Sequence, residues 1–294
     1  MQTNNTQSQS TPFLPLEVED YLACKTMQGL APGTIENYRL ILTLFFQSVN
    51  KQPSEVITND IRRFLYNYQE KKKVSRVTLD KYREYISRFF SWAHKEGLLI
   101  SNPTATLAPI KHEQKQRQYL TQIDLEYLRL ACKTPRDLAI LEFLYSTGAR
   151  VSELTIVKKS DIDWYDKSVS LFGKGMKQRT SFLNAKAEVA IKRYLESRTD
   201  DNEYLFVSIK KPYKQLTKDA IERIIRVIAN NTPQVRKKVT PHIFRHTMAT
   251  TALQSGMPIA DISKLLGHES IDTTMIYAKS SLEDVKTGHR KHIV

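Results

Sequence analysis

Arg150, Lys174, His242, Arg245, His268 and Tyr277 are the side chains of this sequence whose types and order could do chemistry together. Arg150 lies in Tyr-Ser-Thr-Gly-Ala-Arg-Val-Ser-Glu-Leu at 145–154, and Lys174 lies between Gly173 and Gly175. His242 and Arg245 fall in Thr-Pro-His-Ile-Phe-Arg-His-Thr at 240–247, and His268 in Leu-Leu-Gly-His-Glu-Ser at 265–270. Tyr277 follows His268 by nine positions. Two arginines, two histidines, a lysine and a tyrosine suit attack on a phosphodiester without a metal. The non-bridging oxygens carry negative charge that grows as a nucleophile approaches, so fixed cations must meet them. Arginine is always charged and its planar fork holds two oxygens, which assigns Arg150 and Arg245 to the clamp. Each contact of this kind is worth about 3–4 kcal/mol in the transition state.

The other positions carry more than one reading. His242 and Arg245 are three apart and share a helix face, near a helix start at Thr240-Pro241 where phosphate is also favoured. His246 stands four after His242, a zinc spacing, but the glutamate that a metalloprotease helix needs is replaced by Ile243; a buried structural histidine is the simpler reading. Lys174 reads either as a solvated turn lysine or as a mobile proton donor to a leaving 5′ oxygen, its pKa lowered by neighbouring cations. No P-loop pattern surrounds it. Lys177 and Arg179 are assigned to backbone phosphates. His268 could donate to a phosphate oxygen or orient a nucleophile. Tyr277 is the nucleophile candidate, with His242 as its base. Glu153 is either an orienting carboxylate for Arg150 or Lys174, or an ordinary surface glutamate.

The composition agrees with a polyanionic partner. Lys and Arg total 45 against 31 Asp and Glu, a formal charge of +14 in 294 residues. Residues 1–110 hold 13 basic and 10 acidic side chains, whereas 111–294 hold 32 and 21, so the excess is greatest in the half with the constellation. The length favours two domains. Cys24 and Cys132 fall in apparent helices far apart and read as buried free thiols of a cytosolic protein. No apolar run approaches the roughly 18 residues that span a bilayer.

Residues 1–12 are polar and read as a disordered lead-in. From 13 to 102 the apolar spacing predicts four helices in a small bundle, at 17–28, 33–48, from 58–60 to about 72, and 75–96. Lys71, Lys72 and Lys73 with Arg76 are a solvated helix end or a phosphate contact. Residues 103–118, with Pro103, Pro109, Lys111, Lys115 and Arg117, read as a basic linker. From 119 helices are expected at 122–133, 136–147, from Val151, 185–197, 217–229, 241–255, 258–266 and 271–278. Val169, Leu171 and Phe182 read as two strands around a basic turn, and Tyr204–Val207 as another strand. The fold class is mostly α with a small β-sheet: a helical bundle followed by an α+β domain.

In order, spacing and flanks the six residues resemble the tyrosine recombinase (phage integrase) family, in the compact layout of Xer recombinases and short mobile-element integrases. The resemblance implies a core-binding N-terminal domain, a catalytic domain over 119–294 with a tail that packs on a neighbouring protomer, and a clamp on double-stranded DNA. It implies a homo-tetramer on two sites, a dimer on each, with a paralogous recombinase or accessory protein as a further partner. Tyr277 would form a 3′-phosphotyrosyl bond and the reaction would pass through a Holliday junction, with neither metal nor cofactor, in the cytoplasm at the nucleoid. No arm-site module precedes the bundle, which points away from arm-binding integrases. Mobile-element integration or excision and Xer-like dimer resolution both fit. A type IB topoisomerase-like nicking-closing enzyme and a non-catalytic DNA-binding protein are the rival readings.

Overall fold

The computed structural model describes residues 14–112, 118–173, 178–268 and 270–275. The chain divides into two units, Met1–Lys115 and Gln116–Val294. In the first, the apolar stripes read from the sequence form four helices, α1 (Leu16–Met27), α2 (Pro32–Val49), α3 (Thr58–Lys72) and α4 (Arg76–Lys95). Their shared faces bury Tyr21, Tyr38, Phe45, Phe46, Phe89 and Phe90. These rings meet largely edge to face, the arrangement that brings positive ring edges onto negative ring faces. Ser75 caps α4 by accepting from the Thr78 amide.

Residues 103–110, within the stretch expected as a linker, are docked on this unit. The Pro103 carbonyl accepts from the Thr58 hydroxyl at 2.8 Å, and the Ile110 amide donates to Asp80 at 2.8 Å. Thr104 is buried there.

The second unit is built on two helices buried nearly all round. In α6 (Pro135–Thr147) the run Ala139–Leu144 is buried, and in α10 (Pro241–Gln254) so is Ile243–Thr250. Around them lie α5 (Gln122–Leu130), α7 (Val151–Ile156), α8 (Ala185–Glu196), α9 (Lys218–Asn230), α11 (Ile259–Leu266) and α12 (Asp272–Met275). Thr121, Thr134, Asn184 and Thr217 start their helices with side-chain caps. A small antiparallel sheet runs β1 (Ile162–Asp163), β2 (Ser168–Phe172), β3 (Gln178–Phe182).

Two expectations change, for Tyr204–Val207 and for Cys132. Tyr204–Val207 is not a ladder strand: its backbone bonds alternate between Val157 on one side and Leu216 on the other, so it makes only isolated bridges. Phe182 points outward, and Arg179 and Ser181 take the inward positions of β3. Cys132 lies past the end of α5 and, like Cys24, is half-buried and free. Burial pushes its thiol up to about 12. Among the described residues no helix is long and apolar enough to cross a membrane.

Candidate active site

The site forms where two helices stop. Helix α6 ends at Gly148, whose φ of 59° closes the last turn in the left-handed region. A Cβ there would lie 2.3 Å from Cε of Met248 and 3.1 Å from Leu266. Helix α11 ends the same way at Gly267, φ 62°, and its last turn is closed by the His268 amide donating to the Ser263 carbonyl. Each stop leaves carbonyls pointing out at the negative end of a helix dipole, a natural seat for cations.

Arginines take those seats. Arg245, on α10 and only 2% exposed, donates to the Gly148 carbonyl at 2.8 Å and to the Leu266 carbonyl at 2.6 Å. Arg179 reaches in from β3, donating to the Leu265 carbonyl, at 3.4 Å to Gly148 and at 2.8 Å to Glu153 Oε2. Arg150 is the cap residue before α7. Its amide and its Nη1 both donate to Glu153 at 2.8 Å, and its Nη2 lies 3.5 Å from the Gly267 carbonyl. Its side chain is 42% exposed, so this guanidinium keeps a face for a ligand. His268 follows Gly267, and its Nδ1 is 2.7 Å from the hydroxyl of buried Thr274.

The structure therefore joins Arg150, Arg245, His268, Glu153 and Arg179 through the peptides at 148 and 265–267. His242 is exposed in the first turn of α10, and His246 is buried. Lys174, Lys177 and Tyr277 lie outside the described residues. Lys71, Lys72, Lys73 and Arg76 are exposed on the first unit, with Lys73 paired to Glu70.

Two expectations are revised. Glu153 is 1% exposed, which removes the surface reading. Arg179 does not face solvent as a phosphate grip should: its side chain is 9% exposed and its Nη donors go to protein acceptors. The sequence held a signal for this. Arg179 stands opposite buried Leu171 across the ladder, and directly opposed residues share a sheet face.

Electrostatically the site is a cationic cluster around one buried carboxylate. Burial alone would push the Glu153 carboxyl up, but the bond and charge of Arg179, with the Arg150 bonds, hold it below the usual carboxylate range. Burial and the charges of Arg245, Arg150, Arg179 and His242 bring His268 down from 6.5 to about 4. Its imidazole is neutral at physiological pH, and a bound anion would be welcome there.

Residues 114–283 match the Phage integrase family, and residues 18–98 match the phage integrase N-terminal SAM-like domain. The chain belongs to the phage integrase family. Its resemblance to tyrosine recombinase XerC of Thermodesulfovibrio yellowstonii reaches 31% identity over 273 residues, 88% of this chain and 89% of that protein. The crystal structure of XerA recombinase is 29% identical and superposes with a TM-score of 0.54, over 95% of this chain and 98% of that one. XerH site-specific recombinase, solved bound to a palindromic difH substrate after cleavage, has the same fold at 21% identity and a TM-score of 0.74, over 92% and 83%. As a phage integrase family member the chain is a tyrosine recombinase, a DNA strand-transfer enzyme, with a mostly helical catalytic unit and a small three-stranded sheet.

Proposed function

We propose that this chain is a site-specific recombinase that cuts and rejoins duplex DNA through Tyr277, in Xer-like resolution or in movement of mobile DNA. The observation that carries the reading is the convergence of Arg150 and Arg245 on the successive carbonyls of Gly267 and Leu266, beside His268. Two guanidinium groups on one rigid turn can meet the non-bridging oxygens of one phosphodiester. In this reading the Tyr277 phenol oxygen bonds to phosphorus, its proton passing to His242. The bond to the 5′ oxygen breaks and Lys174 gives that oxygen a proton. The new 3′-phosphotyrosyl bond keeps the energy of the old one. A 5′ hydroxyl of the partner duplex then attacks it and frees the phenol, passing through a Holliday junction. His268, neutral, donates to a phosphate oxygen.

Four copies would act on two sites, two per site, in the cytoplasm on the nucleoid, with the C-terminal tail that carries Leu282, Val285 and Ile293 packing on a neighbouring copy. A paralogous recombinase or an accessory protein would be a further partner. Lys71, Lys72, Lys73, Arg76 and Lys177 would meet backbone phosphates away from the cut.

The test is a nicked suicide duplex. Retention of a 3′ covalent adduct, lost in Tyr277→Phe, is the expected result. Binding without any adduct would make the chain a passive DNA-binding protein and end the proposal. Resolution of a Holliday junction is expected next; relaxation of supercoils without resolution would identify a topoisomerase instead.

A further inference from the structure

Arg179 makes contacts that none of the proposed chemical steps uses. It stands on β3, five positions after Lys174 in the sequence, and its side chain is 9% exposed. Its acceptors are the ones that hold the site together. It shares the Gly148 carbonyl with Arg245, shares Glu153 with Arg150, and takes the Leu265 carbonyl next to the one held by Arg245. It also underlies the turn before His268, since a Cβ on Gly267 would stand 2.7 Å from Arg179 Cδ.

A buried ion pair is weak evidence for a stabilising role, because desolvating both charges offsets most of the attraction. The arrangement makes sense as charge allocation. Arg150 Nη1 holds Oε1 of Glu153, and Arg179 Nη2 holds Oε2. One carboxylate facing one arginine would neutralise it and draw it inward. One carboxylate shared with a second, buried arginine leaves net positive charge on the exposed guanidinium.

Resting on the strand-transfer reading above, we propose that Arg179 is a positioning residue: as a second counter-cation of Glu153 it keeps that carboxylate from offsetting the positive field of Arg150 toward the scissile phosphate, and it fixes the turn that presents His268. It touches no DNA itself.

The test compares wild type, Arg179→Met and Glu153→Gln/Arg179→Met on the suicide duplex, measuring DNA affinity and the first-order rate of adduct formation at saturating enzyme. Adduct formation by wild type secures the underlying reading independently of the variants. Arg179→Met is expected to slow cleavage by about 10–100-fold, the range for groups that orient a reacting side chain from behind. DNA affinity is expected to stay within about threefold, because the residue is not a phosphate contact. Neutralising Glu153 in the same chain releases Arg150, so the double variant is expected to cleave faster than Arg179→Met. Wild-type cleavage in Arg179→Met, a parallel fall in affinity and rate, or a double variant no faster than the single would each overturn the proposal. Arg179→Gln, which keeps a donor for the buried carbonyls, serves the same comparison should methionine prevent folding.

Discussion

The guanidinium of Arg245 donates to the carbonyl of Gly148 at 2.8 Å, and the same glycine stands in the left-handed region at φ 59°. The carbonyl is presented to Arg245 because α6 is terminated there by a residue without a side chain. Gly148→Ala is therefore expected to act on the site through the backbone. Left-handed φ costs an alanine about 1–2 kcal/mol, and its Cβ would meet Met248 Cε at 2.3 Å. The methionine tip is flexible and can move, so the backbone cost should dominate. Denaturant melts should show a loss of about that size together with slower cleavage; full stability with full activity would contradict the geometry.

Arg150 and Arg245 should fail differently. Arg150→Ala removes a half-exposed side chain, so the melting midpoint should hold while cleavage falls about 100–1,000-fold, as for removal of one transition-state donor. Arg245→Ala removes a buried guanidinium that satisfies two helix-end carbonyls, at about 1.5–3 kcal/mol per charged hydrogen bond. That variant should lose stability and cleavage together. Parallel thermal melts and adduct assays distinguish the two, and equal destabilisation by both would be wrong for this arrangement.

His268 makes stability depend on pH on the acid side. Its ordinary value is 6.5 and its folded value about 4, so the folded state resists protonation. As pH falls through 6.5 the unfolded chain gains a proton that the folded chain refuses, and stability is lost progressively down to about 4. Above 6.5 the group contributes no slope. Urea midpoints across that window should fall more steeply for wild type than for His268→Asn. Parallel curves would mean that the imidazole is not held neutral.

Replacing Lys71, Lys72 and Arg76 with glutamine should weaken DNA binding without slowing cleavage at saturating protein. Every phosphate that is no longer neutralised should flatten the slope of log affinity against log salt by about 0.9. An unchanged slope would return these residues to a solvated helix end.

The sequence by itself determined the helices and pointed to Arg150, Arg245 and His268, which the fold brings together. Apolar spacing acts within one or two turns, so the helices were legible to within a few residues. The motifs around Arg150, Arg245 and His268 were legible because each is a short run at a helix end. Tertiary structure alone decided that Glu153 is buried and that Arg179 turns inward, because burial depends on what the other face of β3 packs against. An exposed Phe182 beside an inward Arg179 inverts the expectation from hydrophobicity. Only the folded chain shows why: the C-terminal carbonyls of α6 and α11, distant in sequence, meet at one point and need buried donors there.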